Sequence, residues 1–278
     1  MRDISLLVFR FGLPVVLFFG AVRVDYRHLD TGGYLLAGVV ASCAIVALAW
    51  VYALLRGWRG EERAIFVQAG YRANLGVIGV ALCAQAYGEE GLALAAPPIA
   101  VLTILYNIIA VLLLNHAYGK GQDPFSLLKG LLTNPLIIGI GAGVLVSLAG
   151  IELSLKVRQA GAMFSLGILP LALMCIGASL NLRVLRSSSV YTLEATAWRL
   201  LIVPALAVAI AVVMGIHGAE MGVLFLLLAA PVAAASYIMV MAAGGNGGLA
   251  ANIVVVSTLF STLSLTLGLA LLQWWGLV

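Results

Sequence analysis

The sequence predicts an all-α polytopic membrane protein built on an inverted repeat. Three observations lead there: the composition, the spacing of apolar stretches and a faint internal repeat. Of 278 residues, 63% are hydrophobic and 9% charged, and the mean hydropathy is +1.14. A soluble domain runs about 45–50% apolar and about 25% charged, so this chain lacks the charge to solvate a globule's surface. That weighs against a soluble enzyme, a disordered chain and a nucleic-acid reader. The net charge of +4 suits lysine and arginine in cytoplasmic loops better than a phosphate-binding patch.

Apolar stretches bounded by charged or Gly/Pro-rich breaks fall at 4–22, 32–55, 64–87, 93–116, 130–150, 160–181, 190–215, 221–243 and 249–275. Each approaches the roughly 20 residues a crossing needs, which gives nine spans. Arg10 interrupts the first stretch and Pro14 sits in its middle, so it reads as a retained span rather than a signal peptide. Loop charges orient the chain. Arg2, Arg56, Arg59, Arg63, Lys120, Lys129, Arg183 and Arg186 share the side of the N-terminus, against Arg23, Arg27, Lys156 and Arg158 opposite. The N-terminus is therefore expected in the cytoplasm and, with nine spans, the C-terminus outside. Cys43, Cys83 and Cys175 are scattered through apolar runs and imply neither a disulfide nor a metal site. His28, His116 and His217 fall at span ends, and no cofactor or metal is expected.

The repeat is the most informative feature. Phe11-Gly12-Leu13-Pro14-Val15 resembles Gly167-Ile168-Leu169-Pro170-Leu171, and each run soon reaches a Gly-Ala pair, Gly20-Ala21 and Gly177-Ala178. Gly88-Glu89-Glu90-Gly91-Leu92-Ala93 matches Gly245-Asn246-Gly247-Gly248-Leu249-Ala250 at four of six positions. Pro14 and Pro170 lie 156 apart; Gly20 and Gly177, and Gly88 and Gly245, lie 157 apart. This offset pairs spans one to four with six to nine. Copies five spans apart insert with opposite orientation, an arrangement characteristic of secondary transporters. The 130–150 span has no partner, because its counterpart would lie upstream of Met1. The architecture thus calls for ten helices. About 30 further residues upstream would restore the tenth; otherwise a neighbouring subunit or lipid covers the face it leaves.

Such folds place substrate near the midplane, where two interrupted helices bring their half-helix ends together. The third span carries Gly70-Tyr71-Arg72-Ala73-Asn74-Leu75-Gly76-Val77-Ile78-Gly79; the eighth carries Ala229-Ala230-Pro231-Val232-Ala233-Ala234-Ala235-Ser236. Asn74 and Pro231 are 157 apart and so repeat-equivalent. Two unwound points crossing at one depth offer free N–H and C=O groups to a small polar ligand. Asn107 is the one Asn or charged residue in the interior of the fourth span, Asn115 lying at its end; its amide both donates and accepts. The candidate substrate-binding residues are therefore Asn74, Asn107, Pro231, Arg72, Gly76 and Ser236. Arg72 either attracts an anion or snorkels to the interface. Glu194 and Arg199, in the first half of the seventh span, are candidate coupling charges. The alternative is an intramembrane ion pair near the interface; five residues apart, the two share a helix face only loosely, so the spacing alone does not pair them.

These residues resemble the auxin efflux carrier family, which includes plant auxin exporters and bacterial malonate or malate permease-like proteins. Tyr71-Arg72-Ala73-Asn74-Leu75-Gly76-Val77-Ile78-Gly79 is similar to the family's aromatic-Arg-Ser-Asn-Thr-Gly-x-Ile-Gly stretch. Asn134-Pro135-Leu136-Ile137-Ile138 resembles the opening of its second half, and Arg199-Leu200-Leu201-Ile202-Val203-Pro204 its Arg-Leu-(x)3-Pro helix. Ala230-Pro231 through Leu249-Ala250-Ala251 to Ser257-Thr258-Leu259 resembles its crossover and last helix.

The resemblance implies two inverted five-helix repeats, with a scaffold half over 1–30 and 128–187 and a transport half over 31–119 and 188–278. It implies transport of small organic anions such as carboxylates across a bacterial inner membrane, and a homodimer formed through the scaffold helices. Asn74 and Pro231 match the crossover positions, and Asn107 a polar position that helps hold the substrate carboxylate. Three departures stand out. Gly79-Val80-Ala81 lacks the proline common after Ile-Gly; no acidic residue lies within the second span; and the family's first helix is absent. The competing readings are a sodium-coupled carrier of the bile-acid type and a non-transporting sensor or structural subunit. Coupling to protons or sodium is left open.

Overall fold

The computed structural model describes residues 8–22, 32–118, 132–133, 135–179 and 189–278. Several residues used above lie outside them: Arg2, Arg23, Arg27, Lys120, Lys129, Arg183 and Arg186, on which the orientation rests, together with His28 and Asn134. The start of the 4–22 stretch, the start of the 130–150 stretch and the Cys175 side chain also lie outside them.

Every regular element among the described residues is helical. Leu13–Val22 (α1) follows a wide turn at Val8–Gly12. Gly32–Leu55 (α2) and Gly60–Tyr71 (α3) follow, and a wide turn at Leu75–Gly79 leads into Val80–Tyr118 (α4), which is kinked into two helical segments at Gly88 (φ 59°, ψ −135°), between the third and fourth spans. Pro135–Leu148 (α5) and Leu155–Ser179 (α6) open the second half. Val190–Val213 (α7) contains a wide turn at Trp198–Ile202. Gly218–Ala229 (α8), Ala234–Ala243 (α9) and Gly247–Trp274 (α10) complete the order. Gly33–Leu55, Leu75–Tyr118, Val190–Val213 and Gly247–Trp274 are long and apolar enough to cross a membrane, and Arg10–Val22, Ile137–Leu148 and Gly218–Ala229 are shorter apolar helices. Long side chains such as Leu36, Val51, Leu263 and Leu267 face outward, as expected where lipid is the solvent. This is an all-α polytopic membrane protein.

Several boundaries shift by a few residues from the sequence expectation, and two of the shifts bring charged residues into a helix. The third span starts at Gly60, four residues early, because Glu61 and Glu62 fall in the first turn of α3, where the helix dipole favours acids. The sixth starts at Leu155, so Lys156 and Arg158 belong to α6.

The repeat is visible in the caps. Gly57 and Gly215 adopt φ 75° and 76°, and Gly60 and Gly218 φ 50° and 63°. Each pair is separated by 158 residues. Trp58 N–H bonds Ala53 O at 3.0 Å, and Ile216 N–H bonds Ala211 O at 2.9 Å. These are equivalent six-to-one closures of a left-handed helix end. Both halves therefore enter their interrupted helix through the same glycine-dependent loop.

Prolines explain two long-range contacts. A proline leaves the carbonyl four residues earlier without its amide. Pro98 frees Leu94 O, which accepts the Tyr34 hydroxyl from α2. Pro204 frees Leu200 O, which accepts Ser264 Oγ from α10 at 2.5 Å. The second contact sits at the wide turn that carries Arg199.

At one end, Tyr52, Trp58, Phe66, Tyr191 and Trp198 stack and tilt against one another with centroids 4.7–6.2 Å apart, joining α2, α3 and α7. Elsewhere α1 and α5 meet through small residues. A Cβ on Gly139 would lie 2.3 Å from Pro14 O, and one on Gly143 2.6 Å from Phe18 O. The spacing of four puts both glycines on one face of α5.

Candidate functional site

The helices α3 and α8 both end in mid-protein, and their continuations restart after a few extended residues. Ala73 and Val232 pair as an antiparallel bridge. Asn74 N–H donates to Pro231 O at 2.8 Å, and Ala233 N–H to Arg72 O at 2.9 Å. The two breaks expected from the sequence thus lie side by side, and the chain passes through them in opposite directions, as an inverted repeat requires. Each break satisfies part of the other's main chain, which is how non-helical backbone survives at this depth.

The unwinding leaves carbonyls without amides. Gly70 O would accept from Asn74 N–H, which has turned to Pro231. Leu228 O would accept from Val232 N–H, which instead reaches Ser257 Oγ on α10 at 3.2 Å. Arg199 takes both deserted carbonyls. Its Nη1 donates to Gly70 O at 2.7 Å, its Nη2 to Leu228 O and Ala230 O at 2.5 Å each, and its Nε to Ala230 O at 2.8 Å. Arg199 is 0% exposed and heads the largest fully buried side chains among the described residues. Glu194 is not its partner. It lies toward the end of the molecule, where it accepts Arg56 Nε at 3.0 Å and Tyr52 Oη at 3.3 Å.

Arg72 is the second buried guanidinium, 6% exposed. It neither snorkels nor pairs with an acid among the described residues. Its Nη1 donates to Tyr106 O at 3.0 Å and its Nη2 to Asn107 Oδ1 at 2.8 Å, while Asn107 Nδ2 donates to Thr103 O at 2.8 Å. Tyr71 Oη also reaches Tyr106 O, at 3.3 Å. The sequence candidates Arg72 and Asn107 are therefore in direct contact, one helix apart. Asn74 is half-buried and does not cap the turn it precedes. Pro231 and Gly76 are buried in the breaks. Ser236, in the first turn of α9, is 4% exposed.

Several polar atoms here are buried without a partner among the described residues: Arg72 Nε, Ser236 Oγ and both amide atoms of Gln68. Gln68 stands one turn before Arg72 on the same face of α3. Neither continuing half-helix has a side-chain N-cap. Helix N-termini favour anions through their free N–H groups and dipole. Arg72, the second hydrogen of Asn107 Nδ2 and two uncapped N-termini give this region a surplus of donors, and a ligand rich in acceptors fits it.

A family described as membrane transport protein matches residues 124–269, just over half of the chain. The chain belongs to this family, the auxin efflux carriers. It is similar to an uncharacterized transporter of Methanothermobacter thermautotrophicus, 23% identical over 265 residues, covering 94% of this chain and 85% of the relative. It is also similar to an uncharacterized transporter of Methanocaldococcus jannaschii, 28% identical over 202 residues, covering 70% of this chain and 63% of the relative. This carrier is a transport protein, not an enzyme.

Sequence reasoning missed Gln68, Tyr71, Tyr106 and Ser257. Ser257 is one of several hydroxyls in its stretch, with Thr258, Ser261, Thr262, Ser264 and Thr266, and nothing in the sequence says which of them serves which amide. Ser257→Ala is expected to strand Val232 N–H at a cost of about 1–2 kcal/mol, read as a lower thermal midpoint. Ser257→Thr, which keeps the hydroxyl, is expected to retain wild-type stability.

Proposed function

We propose that this carrier moves small organic anions, carboxylates first among them, by alternating access around the paired breaks. The observation that carries the reading is the donor surplus there: a buried guanidinium with a free Nε beside Asn107, on a residue whose main chain borders two uncapped half-helix N-termini. A carboxylate supplies two acceptor oxygens and one negative charge, and an arginine fork matches that geometry. Asn74 and Asn107 orient the carboxylate, and Ser236 supplies a further hydroxyl. The moving unit is α2–α4 with α7–α10, and the supporting unit is α1, α5 and α6. The second unit is also the surface through which two copies would associate. The close contact of α1 with α5 through Gly139 and Gly143 favours that division.

The test is transport in proteoliposomes with a panel of mono- and dicarboxylates, with and without sodium. Asn74→Ala and Asn107→Ala are each expected to lower uptake about tenfold or more, the loss of one hydrogen bond to a charged group. Unchanged uptake in both variants assigns the site elsewhere, and uptake that requires sodium favours the bile-acid type of coupling.

A further inference from the structure

Among the described residues, every hydrogen bond of Arg199 goes to a main-chain carbonyl, and all three carbonyls lie at the C-terminal ends of α3 and α8. Each helix end carries about half a negative charge. Two ends converging on one point therefore sum to about one negative charge, and one guanidinium balances it. In cation-coupled carriers this is the place where unwound carbonyls and half-helix C-termini hold the coupling ion. The repeat sharpens the point: the position equivalent to Arg199 in the first half is Ser42 at the offset of 157 or Ala41 at the 158 of the flanking loops, and both are buried and uncharged. The charge is thus supplied once, by one half, for both breaks.

We propose that Arg199 is a tethered cation occupying the carbonyl cradle behind the paired breaks, so that the carrier assembles its anion site without binding a metal ion. The inference rests on the function proposed above. The wide turn at Trp198–Ile202 and Pro204 just beyond it aim the side chain. The turn displaces the helix path, and Pro204 leaves Leu200 O to Ser264 rather than to the helix.

The test needs no substrate, so its failure is separable from failure of the transport reading. Purified full-length protein is unfolded thermally in sodium chloride and in choline chloride at equal ionic strength, and the wild type is expected to show the same midpoint in both. Arg199→Ala is expected to lose about 5 °C or more. Guanidinium chloride at about 10 mM, far below its denaturing range, is expected to return at least half of that loss by mass action. Urea at the same concentration has the same shape without the charge and is expected to return none. A merely space-filling arginine predicts no difference between guanidinium and urea. If Arg199→Ala cannot be purified, Arg199→Lys is expected to be more stable than Arg199→Met, which fills similar space without charge. The proposal is overturned if sodium stabilises the wild type, if Arg199→Ala matches wild type, if urea rescues as well as guanidinium, or if Met equals Lys.

Discussion

Arg72→Leu is expected to abolish carboxylate binding, weakening affinity about 100-fold or more. Removing one partner of a buried, hydrogen-bonded charge pair typically costs about 2–5 kcal/mol, and each 1.4 kcal/mol is tenfold in affinity. The fold should tolerate the change, because the Arg72 side chain donates to Tyr106 O and Asn107 Oδ1 and to no main-chain group of the breaks among the described residues. Its own carbonyl still accepts Ala233 N–H. Leucine also removes a charge that is costly to bury. Arg72→Lys keeps the charge but offers one compact head in place of the fork, so it is expected to fall between leucine and wild type. Isothermal titration with the tightest carboxylate of the panel measures the effect. An Arg72→Leu protein binding within about threefold of wild type removes this residue from the site.

The second large effect concerns stability. Gly139→Val is expected to destabilise the protein by about 3 kcal/mol or more, at the upper end of overpacking costs, because the obstruction is backbone. The new Cβ would stand 2.3 Å from Pro14 O and 2.8 Å from Pro14 Cα, and a main chain cannot rotate aside as a side chain does. The double variant Gly139→Val with Gly143→Val is expected to separate α1 from α5 altogether. Gly141→Ala is the control: its Cβ would meet nothing within 4 Å, so its thermal midpoint should match wild type. Equal midpoints for Gly139→Val and Gly141→Ala would show that the glycine face of α5 is not packed as described.

How much was legible in the sequence varies by element. The long helices were, because nothing but lipid-facing or core-facing residues fills them. The two breaks were too, because Pro231 removes a donor and the glycines around Asn74 weaken the helix at a repeat-equivalent point. The pairing of Asn74 N–H with Pro231 O follows the same arithmetic, and the mirrored loops at Gly57 and Gly215 follow the same repeat. What stayed hidden is where long side chains end. Arg199 and Glu194 share half a span, yet one turns inward to three carbonyls and the other outward to Arg56. Five residues apart on a helix fixes only a rough difference in direction, and the deciding wide turn at Trp198–Ile202 has no local signature beyond Pro204. Gln68 was invisible for a different reason. It lies within the 64–87 apolar stretch, but a lone amide there does not say whether it faces lipid, core or the break, whereas α3 is buried from Ala64 to Tyr71.

On the proposed function, a carboxylate bound at the paired breaks crosses the bilayer. Counterflow tests it most directly: proteoliposomes preloaded with an unlabelled dicarboxylate of the panel are diluted into its labelled form in sodium-free buffer. Saturable accumulation at least about tenfold above empty liposomes is expected, lost on Arg72→Leu. Saturable binding by the wild type with no accumulation would contradict it, leaving a receptor built on a carrier's fold.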